Sequence, residues 1–596
     1  MRAAVHYSVR VLNAHEHLFE VRCTVAQPNA AGQVFTLPSW LRGSYLVRDF
    51  AKHIVNIRAR ADDQDLAIER LDKRTLRCAP TDAALELCYS VFAFDTSVRK
   101  AFLDAARGFF NGSSLFYCAR GFERARCTVE LQAPVHAADW QVATTLRAQQ
   151  IDARGFGTYS ADDYEELIDH PVEMSAHQRI DFAVDGIPHA LVLSGRLPPL
   201  AQIDRARLQD DLTRICAAER ALFGGEPKQA QYLFLTYVTS DGYGGLEHRD
   251  STALICARKH LPQIGVAPGS DYHTFLGLCS HEYFHLWNVK RITAARFAES
   301  DLGAEAYTRD LWHYEGVTSY YDDLILLRAR AIEAPAYLDL LAQTATRVER
   351  TPGAQVQTLE DASLETWTKF YQPDANTPNA GVSYYAKGAL VALCVDLLLR
   401  RDANSTLDAV MQAAWQRWGR TQQPVPEGGL EALIQQIAGL DLRTFFDRAL
   451  RSTEALPLAE LLADFAVQAT RRAAHGAQDR GGRSSGKSAR AWIGASVKAN
   501  GSIAHVLSNS PAARAGLSPH DQLVALDGWR VDGKNWRARV DELQPDHAVS
   551  LHVFRDEALL ELTLTPSAPP RDTWTLTLDE AASASARARR QAWLGV

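Results

Sequence analysis

In the pentapeptide HEYFH, residues 281–285, two histidines stand four apart with a glutamate directly after the first. Positions i and i+4 of a helix share one face about a turn apart, so His281 and His285 can converge on one tetrahedral zinc ion. Glu282 then stands beside the open position of the metal, where a carboxylate serves as general base toward a water. Phe275, Leu278, Leu286 and Trp287 flank the pentapeptide and predict a helix packed on a core, not a chance match in a loop. A catalytic zinc usually takes three protein ligands. The candidate third is Glu315 in LWHYEGVTSYYDD, residues 311–323, because a carboxylate among Trp312, Tyr314 and Val317 is costly to bury unless something pairs with it. His313 and His273 are rival ligands, and a buried Glu–Arg ion pair is the purely structural alternative.

These residues need elements to position them. From residue 1 to about 165 the hydrophobic period is two: Val9 and Val11, then Phe19, Val21, Cys23 and Val25, then 85–94 and 127–131. Gly, Pro, Asn and Asp separate the runs, and an antiparallel sandwich is the economical reading. A helical pattern over 203–222 and a short apolar strand over 232–238 follow. Helices are then predicted over 272–292, 305–330, 336–350, 386–400, 406–418, 429–438 and 442–450. Residues 471–490, RRAAHGAQDRGGRSSGKSAR, lack apolar periodicity and read as a flexible linker or long loop. Beyond it, 491–566 is strand-rich, and the last thirty residues form a tail with a short helix.

Length and composition bound the rest. At roughly 150 residues per domain, a chain of 596 residues holds several domains. Its 46% hydrophobic and 23% charged content is that of a globular protein, and a net charge of −7 argues against a polyanion-binding surface. The basic stretch 471–490 has no aromatic residue to stack on a base, so no nucleic-acid partner is expected. The most apolar run, 388–399, is interrupted by Asp396, and no membrane span is expected. The N-terminus passes straight into strand-like sequence, without a signal-peptide core. Nine scattered cysteines without a CxxC pair read as buried free thiols in a reducing compartment, which makes the expected location cytoplasmic.

HEYFHLWNVKRI (281–292) followed by EGVTSYYDDLILL (315–327) resembles the glycyl aminopeptidase family of zinc metallopeptidases. This is the gluzincin branch, with two His ligands and one Glu, and its relatives include the alanyl-aminopeptidase and leukotriene-hydrolase enzymes. LPSWLRGSY (37–45) and the C-terminal part also fit, so the resemblance covers nearly the whole chain. Arg42 departs from it, standing where a proline is expected before the turn at 43–45. The implied fold is multidomain α+β: an N-terminal β-sandwich (1–165), a thermolysin-like α+β catalytic domain with an all-α extension (166–456), a PDZ domain (457–566, including 471–490) and a tail (567–596).

Two further motifs gain meaning from the resemblance. GGLEH, residues 244–248, reads as an edge strand whose Gly244 and Gly245 let a peptide backbone approach closely. The resemblance implies that Glu247 pairs with the free α-ammonium of the substrate; the related strand reads GxMEN, and here His248 replaces the asparagine. SYYAKG, residues 383–388, matches YEKG in the relatives, with Ala386 in place of Glu. It implies that Tyr385, or in the alternate register Tyr384, donates to the oxyanion of a tetrahedral intermediate. SNSPAARAGLSPHDQLVALDGWRV (508–531) looks like a PDZ domain of the bacterial protease type, with WIGA (492–495) as the loop that holds a chain-terminal carboxylate.

Together these features predict an aminopeptidase with one Zn2+ per chain, acting on peptides with a free N-terminus; the preference for Gly or Ala is implied by the resemblance alone. An endopeptidase with the same centre is the nearest alternative. A non-catalytic PDZ scaffold with a structural zinc is less economical, because a structural site has no use for Glu282. A membrane-embedded protease needs spans this chain lacks, and a serine protease needs a nucleophile motif such as GxSxG, which is missing.

Overall fold

The computed structural model describes residues 4–135, 137–476 and 478–596. The few positions of the segments above that fall at 1–3, 136 and 477 lie outside the described residues. The chain divides into two compact units: Met1–Ala306 with Trp415–Val425, and Tyr307–Ala414 with Pro426–Val596.

The first unit begins with the sandwich. The strand Val5–Asn13 pairs antiparallel with Leu18–Val25, setting Val5 against Val25 and Val9 against Val21. Period-two alternation therefore buries Val5, Tyr7, Val9, Phe19, Val21, Cys23 and Val25 on one face. On its other edge Val5–Asn13 pairs in parallel with Cys127–Leu131, so the eight-stranded sheet is mixed rather than antiparallel throughout. A parallel neighbour needs a long crossover. The chain between these partners supplies one while building a four-stranded sheet and two strands, Ala101–Leu103 and Arg107–Phe110, of a second, which Gln141–Ala143 and Val172–Ser175 complete.

Next come five strands, β1 (Gln178–Val184), β2 (Ile187–Gly195), β3 (Tyr232–Thr239), β4 (Gly244–Glu247) and β5 (Ser251–Ala257). They form one sheet in the order β1-β2-β3-β5-β4, which leaves β4 on its edge. Helix α1 (Arg205–Leu222) is capped by Asp204, whose carboxylate accepts from the Arg207 N–H. It packs beside α2 (Ser270–Phe284), which buries Phe275, Leu276, Leu278 and Phe284. The helix expected to reach residue 292 stops at Phe284, with His285 as its C-cap. The chain then reverses through Val289, a β-branched residue at φ 102, where left-handed backbone is strained.

In the second unit the helix expected from 305 starts only at Leu311. The preceding residues are committed elsewhere. The Asp310 carboxylate accepts from the Gly428 N–H at 2.7 Å, and the Thr308 hydroxyl donates to Glu427 at 3.1 Å. A π-turn, Trp312–Gly316, then leads into α3 (Val317–Arg328), followed by α4 (Ala334–Glu349) and α5 (Tyr384–Asp402). The segment 377–402 is long and apolar enough to cross a membrane, but 83% of its most apolar window is buried in the protein, so it is a core helix. Asp396, which interrupts the apolar run, accepts from Tyr320 Oη at 2.7 Å, the Leu407 N–H at 2.8 Å and Arg400 Nε at 3.0 Å. Its burial is therefore satisfied.

The strand Val467–Arg472 pairs antiparallel with Thr573–Leu578, and the strand-rich segment 491–566 is inserted between the two. That segment has its own core, with Ile503, Leu517, Leu523, Leu551, Val553 and Leu564 all buried. The Gly/Ser/Arg-rich stretch is a loop tied to its surroundings: Arg472 pairs with Asp479, Arg483 pairs with Asp339 at 2.8 Å, and the Gly482 N–H donates to Trp574 O at 2.9 Å. The tail docks through α6 (Ala584–Leu594), whose Trp593 Nε1 donates to Tyr320 Oη at 3.3 Å.

Asp310 carries a testable consequence. Burial, then neighbouring Glu427, pushes its carboxyl up to about 7. The folded chain therefore holds a proton between roughly pH 4 and 7 that the unfolded chain has released, since an ordinary Asp titrates near 3.9. The stability supplied by this group is greatest below pH 4 and is lost as pH rises through 7. Asp310→Asn should therefore melt close to the parent at pH 5 and above it at pH 8.5, a gap that thermal melts at the two pH values measure.

Candidate metal centre and substrate strand

On α2 and its C-cap, His281 and His285 bring their Nε2 atoms within 3.1 Å of each other. The Nδ1–H of His285 donates to the Asn288 carbonyl at 2.8 Å, which assigns the tautomer and leaves the Nε2 lone pair for a ligand. The reversal at Val289 is what turns that carbonyl back toward the helix end. Two imidazole nitrogens presented to the same point are the geometry a cation fits. His273 stands eight residues before His281, about 12 Å along the axis, and cannot share an ion with it.

Glu282, on the same helix, is 5% exposed and sits against β4. A Cβ added to Gly245 would lie 2.1 Å from Glu282 Oε1, so the close approach of strand and carboxylate depends on glycine at 245. Thr252 Oγ1 lies 3.4 Å from Glu282 Oε2 on the other side.

The strand itself is held at both ends. Glu247 is buried at its C-terminal end, and the backbone of Gly43 from the sandwich lies against its carboxylate. The arginine that precedes Gly43 has a reason to be there. Arg42 donates to Phe297 O from Nε at 3.1 Å and from Nη2 at 2.9 Å and pairs with Glu165, none of which a proline could do. His248 Nδ1 lies 3.1 Å from Asp169, which also accepts from Lys290 Nζ at 2.7 Å and from the Arg249 N–H at 3.1 Å. Burial opposes the Asp169 anion, but Lys290 and His248 outweigh it and hold the carboxyl well below the usual range. His248 thus anchors the end of β4 to the sandwich.

In the second unit, Glu315 is 2% exposed within the π-turn. That turn lies tight on α5, where Gly316 and Gly388 pack backbone to backbone: a Cβ on Gly316 would stand 2.6 Å from the Gly388 Cα. His313 is fully buried with its ring stacked on Tyr314, 4.2 Å between centroids. The N-terminus of α5 is set by Ser383, whose hydroxyl accepts from the Ala386 N–H. Tyr384 is fully buried, its hydroxyl 2.8 Å from Thr366 Oγ1, and burial followed by Tyr371 and Glu315 raises its pKa well above the phenol value. Tyr385 is half-buried, its hydroxyl 3.2 Å from that of Tyr371. Burial pulls the Lys387 ammonium down to about 8.

Four contributors escaped the sequence: the Asn288 carbonyl, Asp169, Tyr371 and Arg99, whose Nη2 donates to Gly245 O at 3.2 Å. Asp169 and Arg99 stand 79 and 146 residues from their partners, and no local pattern marks them.

Comparison with known proteins follows the same lines. Residues 6–176 match the Peptidase M61 N-terminal domain, and residues 274–391 match the M61 glycyl aminopeptidase domain. No curated protein matches the chain. The crystal structure of an aminopeptidase N family protein from Idiomarina loihiensis is 37% identical, with a TM-score of 0.94 over 99% of this chain and 100% of that one. An M1 zinc metallopeptidase from Deinococcus radiodurans is 14% identical, with a TM-score of 0.48 over 76% of this chain and 94% of that one. Native yeast LTA4 hydrolase is 10% identical, with a TM-score of 0.46 over 78% and 71%. The chain belongs to the M61 glycyl aminopeptidase family and is a metallopeptidase of the aminopeptidase kind.

Proposed function

We propose that the protein is a zinc aminopeptidase that removes the first residue of peptides with a free N-terminus, small residues such as Gly or Ala above all. The observation that carries this reading is the pair of Nε2 atoms facing each other at 3.1 Å, one tautomer fixed, with a buried glutamate next in sequence on the same helix. His281, His285 and Glu315 are a two-nitrogen, one-oxygen donor set of the kind that suits catalytic zinc, and one ion per chain is the expected load. A metal so held polarises a carbonyl and makes water a competent nucleophile near neutral pH.

The chain's own residues do the rest. Glu282 takes a proton from the attacking water and delivers it to the leaving nitrogen. Glu247 pairs with the α-ammonium of the substrate, which places the first peptide bond at Glu282 and excludes chains without a free amine. Tyr385 donates its phenolic hydrogen to the oxygen that becomes negative during attack. The inserted segment 491–566 acts as a PDZ module. Among the described residues its strand Ala495–Val497 pairs along one edge, with Ile503–Val506, which leaves the other edge for a chain terminus. Nine free cysteines, eight of them buried, support a cytoplasmic location.

Zinc content and the hydrolysis of amino-acyl chromogenic amides, with and without chelator, test the reading. One zinc per chain, chelator-sensitive turnover and no cleavage of N-acetylated peptides are expected. Equal cleavage of acetylated and free peptides would establish the endopeptidase instead.

A further inference from the structure

Resting on the aminopeptidase reading, we propose that Arg99 receives the C-terminal carboxylate of a very short peptide, so that dipeptides are the substrate class this site fits best.

The argument starts from the hydrogen-bond alternation of β4. The His248 N–H donates to Ser251 O on the neighbouring strand β5. Antiparallel pairing alternates every residue, so Leu246 also turns its backbone toward β5, while Gly245 and Glu247 turn theirs to the free edge of the sheet. That edge is where a substrate backbone lies. Arg99, from the loop before the sandwich strand Ala101–Leu103, already occupies the outward carbonyl of Gly245 through Nη2 at 3.2 Å. A long peptide zipping along β4 meets this side chain at Gly245, the residue whose α-carbon lies on the Glu282 carboxylate.

The charge on Arg99 is otherwise unspent. Among the described residues its guanidinium makes that single hydrogen bond and no ion pair, and its Nε is buried without a partner. Three other arginines of the same unit each have a carboxylate: Arg42 has Glu165, Arg107 has Glu173 and Arg291 has Asp250. A guanidinium forks onto a carboxylate with two parallel N–H donors, and the second N–H of Arg99 Nη2 keeps such a fork open, with Nη1 or with Nε.

The spacing selects the ligand. An extended dipeptide places its carboxyl carbon about 6 to 7 Å from its amino nitrogen, which is about two residues along a strand. Glu247 and Gly245 are two residues apart on β4. With the ammonium at Glu247, the carboxylate of the second residue therefore reaches the level of Gly245 and Arg99, and the peptide bond between them lies over Glu282.

The test compares glycyl-alanine, its C-terminal amide and a glycine-led pentapeptide on the zinc-loaded full chain, wild type against Arg99→Gln. Gln keeps an N–H for Gly245 O and loses the charge. Wild type should favour the dipeptide over its amide by about 10- to 100-fold in kcat/KM, the usual worth of a charged hydrogen bond. The variant should erase that gap by raising KM for the dipeptide while leaving the amide nearly unchanged. Equal rates on dipeptide and amide in wild type overturn the proposal and leave the aminopeptidase reading standing. An equal fall on both substrates in the variant also overturns it, and makes Arg99 a mere support of β4. No turnover of any free-amine peptide by the wild type would remove both readings.

Discussion

Glu282→Gln should keep its zinc and its melting temperature and lose about 10³- to 10⁴-fold in kcat, the upper part of what a positioned general base contributes. The variant is isosteric, and its amide oxygen can still meet Thr252 Oγ1, which stands 3.4 Å from the wild-type Oε2. The packing against Gly245 is equally preserved, because the replaced atom has nearly the same radius. What disappears is a group that can hold a proton during attack and return it to the leaving nitrogen. The proposed substrate contacts are elsewhere, at Glu247 and along β4, so KM should move little. A parallel loss of metal would mean that Glu282 is part of the cation site, and near-normal turnover would end the mechanism. Metal analysis beside steady-state kinetics on one amino-acyl amide separates these outcomes.

The histidine pair was legible because its information is local: i and i+4 on a helix leave little room for another geometry. The edge position of β4 was legible only through the family resemblance, since GGLEH taken alone reads as a glycine turn with a surface Glu. The end of α2 was not. HEYFHLWNVKRI continues with helical spacing past His285, and only the Val289 backbone at φ 102 shows that the chain turns back to give Asn288 O to His285. The parallel pairing of Val5–Asn13 with Cys127–Leu131 was equally silent, because period-two alternation says which face is buried and nothing about the neighbour's direction. Arg99 and Asp169 were invisible on different grounds. Each looks like an ordinary surface charge in its own stretch of sequence, and each gains its meaning from a strand far along the chain. Arg42 reads as an anomaly against the family pattern, and its bonds to Phe297 O and Glu165 turn it into a fixed strut.

The choice between adjacent tyrosines gives the second large effect. Tyr385→Phe should lower kcat by about 10²- to 10³-fold with little change in stability, the loss expected when one donor to a developing oxyanion is removed. Tyr384→Phe should do the reverse. Its hydroxyl is sealed from solvent against Thr366, so deletion strands a buried partner and costs about 1 to 3 kcal/mol of folding free energy, with turnover largely kept. Sequence left the two registers open because both residues lie in the first turn of α5. Their exposure is the ground for proposing Tyr385: in the turn capped by the Ser383 hydroxyl on the Ala386 N–H, Tyr384 lies in the core and Tyr385 is half exposed beside Tyr371. Tyr371→Phe is the informative third variant. It leaves the Tyr385 phenol in place and removes a neighbour 3.2 Å away that orients its hydrogen, so kcat should fall by less than in Tyr385→Phe with KM steady. If Tyr384→Phe instead gives the larger loss of turnover in a protein that melts normally, the oxyanion donor is the buried phenol and the register shifts by one.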